Sequence, residues 1–311
     1  MRNPFATVDQ VEEALRRQGY VAERSLATAI FLTLALERPL FLEGEPGVGK
    51  TEVAKVLAGA LGRPLIRLQC YEGIDRQSAL YEWNFPKQML HIRLAEAARG
   101  EKERDEGWRK ELEDDLFSPK FLLRRPLLAA IDPEGSAPVL LIDEVDRSDE
   151  EFEAFLLELL SEFQVTIPEM GTVRAKEKPV VILTSNRTRE VHDALKRRCL
   201  YHWIDYPSFA KELEIVLTKV PEIPQELAAR ICRFSQRLRE EPLLKKPGVA
   251  ETLHWAEALL ALGVRRLEPQ VVEETLGCLL KYRDDLEALT APHEGQPSYR
   301  RILEEIEAVP L

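Results

Sequence analysis

Residues 44–51 read GEPGVGKT, directly after the apolar run LFLE (40–43) and directly before EVAKVLAGAL (52–61). These eight residues satisfy G-x-x-x-x-G-K-[ST], in the strand–loop–helix setting that the motif requires. Gly44, Gly47 and Gly49 let the backbone curl so that successive N–H groups converge on phosphate oxygens, and the helix that follows adds the positive end of its dipole. Lys50 brings a cation to the β and γ phosphates of a nucleotide, and the Thr51 hydroxyl suits Mg²⁺, which keeps most of its waters in such sites. Glu45, Pro46, Val48 and Glu52 complete the binding segment. A glycine-rich turn that matches by accident is the competing reading, and the flanking pattern disfavours it.

The flanking chain supplies four more short runs rich in branched apolar residues: LIRLQ (65–69), PVLLID (138–143), VVILTSN (180–186) and YHWIDY (201–206). All five read as fully buried strands. Helical stretches separate them, which predicts an α/β fold with a parallel five-stranded sheet between helices and a ligand site beyond the carboxyl ends of the strands. After Pro207 the pattern is helical only, at about 208–219, 224–240, 249–263, 268–283 and 297–308, broken by Pro and Gly. The expected organisation is a nucleotide-binding α/β domain over residues 1–206, with a charged insertion at about 84–120, and a smaller all-helical lid over 207–311.

Within that insertion, GEKERDEGWRKELEDD (100–115) carries 12 charged residues in 16, 8 of them acidic, and so reads as a solvated helix. A docking element is the alternative. DEEFEAFLLELLSEF (149–163) places Phe152, Phe155, Leu156, Leu159, Leu160 and Phe163 at helical spacing, which predicts a core stripe. LATAIFLTLAL (26–36) has 11 residues against the roughly 20 a bilayer needs, and reads as a buried helix. The N-terminus has no signal-peptide layout.

Composition bounds the function. In 311 residues, 54 acidic against 43 basic side chains leave a net charge of -11, which disfavours nucleic acid and anionic membranes as partners. The four cysteines include no Cys-x-x-Cys pair, so neither a zinc site nor a disulfide framework is expected, and a reducing cytoplasm fits.

VLLIDEVD (139–146) is an apolar strand that ends in acids. Asp143 fits the outer partner of Mg²⁺ beside Thr51, and Glu144 the carboxylate that orients or deprotonates an attacking water. Acids that merely cap the strand are the alternative. Asn186, at the end of the strand expected beside that of Asp143, suits holding the water or a γ-phosphate oxygen without added charge, or else a turn. In DALKRRC (193–199), Lys196, Arg197 and Arg198 stand together with too few carboxylates nearby to neutralise all three.

GEPGVGKT, VLLIDEVD, TSN and the arginine pair, in this order, resemble the AAA+ ATPases, and the likeness spans nearly the whole chain. The long segment between the second and third strands, QVTIPEMGTV (164–173) and ALKRRC resemble the MoxR group, and CYEGIDRQSALYEWNF (70–85) resembles its CoxD-like members associated with carbon monoxide dehydrogenase maturation. The resemblance implies a magnesium-dependent ATPase that forms a ring, usually hexameric. It also implies remodelling of a protein together with a von Willebrand factor A domain partner, to mature a metalloenzyme. It gives Lys50 and Thr51 the Walker A roles, Asp143 and Glu144 the Walker B roles, and Asn186 that of sensor 1. Arg198 becomes an arginine finger acting in trans, with Arg197 as the alternative register. One departure stands out: where the group carries a sensor 2 arginine in its lid, this chain has KKPGVAETLHW (245–255) with Val249 at the position. Lys246 and His254 are the candidate substitutes, against a solvated lysine and a histidine at the core edge. Two other classes compete with the remodelling ring, a DNA-associated motor and a nucleotide-gated scaffold with little turnover.

Overall fold

The computed structural model describes residues 3–98, 106–293 and 296–308. Its strands include β1 (Leu40–Gly44), β2 (Leu65–Gln69), β3 (Tyr81–Trp83), β4 (Leu122–Arg124), β5 (Val139–Asp143), β6 (Gln164–Ile167), β7 (Gly171–Arg174), β8 (Val180–Ser185) and β9 (Leu200–Ile204). Five of them form a parallel sheet in the order β2-β5-β8-β1-β9, flanked by helices. β5 pairs with β2 from Leu65↔Val139 to Gln69↔Asp143, and with β8 from Val139↔Val180 to Ile142↔Leu183.

The three inner strands, β1, β5 and β8, are buried at every position, as unbroken apolar runs in a covered parallel sheet should be. The two edge strands correct the expectation of five fully buried runs. β2 buries only Leu68 and β9 only Ile204, because a strand with one neighbour leaves its flank to solvent. The sheet also has satellites that the apolar runs did not announce: the antiparallel pair β3–β4 and the hairpin β6–β7.

The chain divides into two compact units. The first comprises Met1–Val8, Thr28–Leu42 and Leu57–His202. Its core joins Phe41, Leu140, Ile142 and Leu183 to the helix Glu150–Glu162, whose Phe152, Phe155, Leu156, Leu159 and Leu160 are buried, with Phe163 beyond it. That helix starts at Asp149, whose carboxylate accepts the Phe152 N–H at 2.8 Å, an N-cap that satisfies one of the orphan donors of the first turn. Between β3 and β4 lie the helices Phe85–Ala98 and Glu106–Leu116. The second buries no residue, in keeping with its charge, while residues 100–105 of the charged run lie outside the described residues. The helix Arg24–Leu36 is buried on one side only, through Leu26, Ala27, Ile30 and Leu34, with Leu32 and Leu36 exposed. Among the described residues no helix is long and apolar enough to cross a membrane.

The second unit comprises Asp9–Ala27, Glu43–Val56 and Trp203–Leu311. Its core is built on the helices Phe209–Lys219, Gln225–Leu238, Val249–Ala261, Pro269–Thr275, Arg283–Thr290 and Ser298–Glu307, around Trp255, Phe234 and Tyr299. The helix expected over 268–283 stops at Thr275 and continues as a 3₁₀ turn, Leu276–Cys278. The Thr275 hydroxyl donates to the Val271 carbonyl at 2.7 Å, and Gly277 follows; both weaken helix continuation. A buried ion pair ties three helices of this unit: Arg239 Nη1 and Nη2 donate to Glu212 Oε2 and Oε1 at 2.7 and 2.6 Å, and Thr252 donates to Glu212 at 2.9 Å. Two charges out of water hold together only with such complete pairing.

Candidate functional site

The glycine loop joins β1 to the helix Lys50–Leu61. Gly47 (φ +79°) and Gly49 (φ +98°) occupy left-handed backbone that only glycine adopts without strain, which supports the curl read from the motif. Gly44 has a different reason: a Cβ there would stand 2.2 Å from the Ile204 carbonyl oxygen, so it is the close approach that requires glycine. Lys50 is 6% exposed, and its ammonium donates to the carbonyl oxygens of Gly44 at 2.8 Å and Glu45 at 2.7 Å. Thr51 and Glu52 stand half-buried in the first helical turn, and Glu52 pairs with Lys55 at 3.4 Å and Lys219 at 3.1 Å. Tyr20 lies beside this loop, with its ring 3.8 Å from where a Gly49 Cβ would be. Burial first, then the charges of Glu52 and Glu23, push its hydroxyl well above the ordinary tyrosine range.

A second cluster gathers at the carboxyl ends of β5 and β8. Asp143 is buried; its Oδ1 accepts from Thr184 Oγ1 at 2.5 Å and its Oδ2 from Arg67 Nε and Nη2 at 3.0 and 2.5 Å. The same Thr184 hydroxyl accepts the Glu144 N–H at 2.9 Å, so one side chain fixes both acids. Glu144 sits in left-handed backbone (φ 54°, ψ 50°), which costs a non-glycine residue on the order of 1–3 kcal/mol and is held by the surrounding bonds. Its half-buried carboxylate accepts from Arg147 at 3.1 Å. The loop after β8 is fixed by buried Asp146, which accepts from the backbone N–H groups of Asn186 (3.2 Å) and Thr188 (2.8 Å) and from the Thr188 hydroxyl (2.7 Å). Among the described residues the Asn186 side-chain amide has no hydrogen-bond partner.

The basic triplet resolves unequally. On the helix Asp193–Arg198, Lys196 reaches Glu190 at 3.2 Å and Arg197 reaches Asp193 at 2.6 Å, so two nearby carboxylates do take partners. Arg198 donates to the Ser161 hydroxyl and, among the described residues, has no carboxylate partner. In the second unit, Val249 is buried, whereas Lys246 and His254 are exposed, which corrects the core-edge reading of the histidine. Neither Lys246 nor His254 makes a side-chain hydrogen bond or ion pair among the described residues. What meets the glycine loop instead is backbone: the Ala250 N–H donates to the Gly47 carbonyl at 3.2 Å.

A family model, the AAA domain of the dynein-related subfamily, matches residues 39–199, more than half of the chain and all of the glycine loop and acidic cluster. The chain belongs to the dynein-related AAA domain family. Membership makes it an AAA+ protein with a nucleotide-binding P-loop fold. It is also 26% identical over 288 residues to the uncharacterized protein YehL of Escherichia coli (strain K12), covering 84% of this chain and 71% of that one. Among solved structures it is similar to a single-residue variant of Thermotoga maritima RuvB (18% identity, TM-score 0.49, 94% of this chain and 79% of that one). It is likewise similar to the T. maritima RuvB Holliday junction branch migration motor (17% identity, TM-score 0.45, 96% and 78%).

Sequence reasoning missed Thr184, Asp146, Arg67 and Tyr20. Thr184 and Asp146 left a signal in polar residues directly beside the motif acids, TSN and the last acid of DEVD. Arg67 and Tyr20 left none, since their neighbours in space come from distant parts of the chain.

Proposed function

We propose that the chain is a magnesium-dependent ATPase that assembles into a closed ring, most simply a hexamer, and uses hydrolysis to remodel a protein. Hydrolysis rather than storage is supported above all by Glu144: a strained, half-exposed carboxylate beside a buried aspartate is the kind of outlier that functional sites retain. In this reading Lys50 neutralises the β and γ phosphates, Glu144 orients and deprotonates the water, and the Asn186 amide, without a partner among the described residues, holds that water or a γ-phosphate oxygen. Gly44 to Thr51, with Glu52, form the nucleotide cradle, for which the positive-φ glycines and the buried ammonium are suited. Oxygen donors suit a hard dication, so Thr51 and Asp143 would hold Mg²⁺, which supplies positive charge to the phosphates when bound. Arg198, without a carboxylate partner among the described residues, acts on the ATP of a neighbouring subunit, and Arg197, paired with Asp193, is the less suited of the two.

The organisation that goes with this reading is an α/β domain over 1–206, with an insertion at about 84–120, and a lid over 207–311. It is supported by two separate apolar clusters, one within residues 41–199 and the other within 216–306. The finer assignment is to the CoxD-like members of the MoxR group, working in a reducing cytoplasm with a von Willebrand factor A domain partner on a metalloenzyme such as carbon monoxide dehydrogenase. It rests on the CYEGIDRQSALYEWNF and QVTIPEMGTV stretches. The test is purification with ATP from cell extract. Co-elution of a von Willebrand factor A protein with a ring-sized particle is expected. A chain that stays monomeric at tens of micromolar with a slowly hydrolysed ATP analogue contradicts the ring, since a head-to-tail interface closes only when subunits stack.

A further inference from the structure

The second unit carries both the glycine loop and the helix Val249–Ala261, and the two meet through backbone. Gly248, the N-cap of that helix, lies so close to the loop that a Cβ on it would stand 2.7 Å from the Pro46 carbonyl oxygen and 2.8 Å from the Gly47 Cα. Two residues on, the Ala250 N–H donates to the Gly47 carbonyl at 3.2 Å. The side chain nearest the loop is an acid: Glu251 Oε2 accepts the Gly248 N–H at 2.8 Å and sits 2.9 Å from where a Gly47 Cβ would be. That acid caps the first turn, and no arginine stands between Gly248 and Glu251. The approach is nevertheless fixed from behind. Arg239, locked to Glu212 on both nitrogens, donates through Nε to the Pro247 carbonyl at 2.8 Å and so holds the residue next to Gly248 in place.

We propose that this chain couples its lid to nucleotide through the backbone contact of Gly248 and Ala250 with Gly47, in place of a sensor 2 cation, with Arg239 as the positioning residue. The inference rests on the nucleotide-binding part of the proposed function. Phosphates that settle on the loop N–H groups fix the backbone at Gly47, and the Ala250 hydrogen bond passes that order to the first turn of the lid helix. By linkage, a lid held against the loop must then favour nucleotide by the same factor that nucleotide favours the docked lid.

Gly248 offers a clean wedge. Its backbone (φ -82°, ψ -177°) is open to alanine, and the atoms a methyl would meet are those of the loop and the Glu251 carboxylate, not of either core. Gly277→Ala is the matched control in the same unit, since a Cβ there meets nothing within 4 Å. The experiment measures binding of a slowly hydrolysed ATP analogue with Mg²⁺ to the full chain, together with amide hydrogen exchange at Ala250, for the parental protein, Gly248→Ala, Gly277→Ala and Lys50→Ala. Expected are slower Ala250 exchange on binding in the parental chain and Gly277→Ala, and about tenfold weaker binding with loss of that protection in Gly248→Ala. Parental affinity in Gly248→Ala, or an Ala250 exchange rate that nucleotide leaves unchanged in the parental chain, overturns the coupling. The parental exchange needs no variant to fold. If the parental chain binds analogue through Lys50 but does not hydrolyse ATP, the coupling stands and the ATPase reading fails; if it binds none, both fall.

Discussion

Arg67 on β2 and Asp143 at the end of β5 form an ion pair across neighbouring strands, with two guanidinium nitrogens on one carboxylate oxygen. The carboxylate assigned to Mg²⁺ is thus held by a cation from its own sheet, half-exposed where the aspartate is buried.

Arg67→Met should destabilise the metal-free protein by about 1–2 kcal/mol. That is less than the roughly 3–5 kcal/mol for breaking a fully buried pair, because solvent screens the guanidinium. With saturating Mg²⁺ and ADP the deficit should shrink, since the divalent cation takes over the charge, and the Mg²⁺ needed for half-maximal turnover should fall. Urea unfolding in chelator and in Mg²⁺-ADP measures this; an equal deficit in both would show that Arg67 has no bearing on the metal position.

Burial raises three of the four thiols, Cys232 included, and two of them give a pH signature within reach of experiment. Burial, then the charges of Asp143, Asp146, Glu144 and Glu153, push the Cys70 thiol up to about 12, and burial, partly offset by Arg38, does the same at Cys199. The sign follows from the unfolded chain, where these thiols ionise near 9: their contribution to stability is whole below that pH and is lost as pH rises toward about 12. Cys70→Ala should therefore flatten the fall of the melting temperature between pH 9 and 11. At pH 8, iodoacetamide should modify half-buried Cys278 well before Cys70, Cys199 and Cys232. Equal rates at all four in the native protein would contradict the burial.

The inner strands, the helix Glu150–Glu162 and the glycine loop were legible because each is local: an apolar run, a stripe at helical spacing, a motif with its flanks. Which strands became edges was not, since β2 and β9 read like β1 until the sheet order leaves each with one neighbour. Asp143 and Glu144 could be picked out by type, but the device that holds them could not. Thr184 reaches them from a strand forty residues away, and Arg67 comes from β2 on the other side. Arg198 could not be separated from Arg197 by sequence, because their different partners, Ser161 for Arg198 and Asp193 for Arg197, are set by the fold.

Arg198→Ala should leave nucleotide affinity unchanged and lower turnover in the assembled ring by roughly 10³ to 10⁵, the range for an arginine finger supplied in trans. Arg197→Ala, which removes an exposed pair with Asp193, should have little effect on turnover or stability. Turnover at saturating ATP in rings verified by light scattering is the measurement. The reverse ranking of the two variants would move the role to Arg197.

Glu144 is the residue that would make this chain an ATPase and not a nucleotide-gated scaffold. The direct measurement is phosphate release at saturating Mg²⁺-ATP, with nucleotide binding followed on the same samples, for the parental chain, Lys50→Ala and Glu144→Gln. Lys50→Ala should lose binding, and Glu144→Gln should keep it with turnover lowered by on the order of a hundredfold or more, the scale of general-base removal. Parental turnover in Glu144→Gln, or no Lys50-dependent phosphate release from the parental chain, would contradict that role of Glu144.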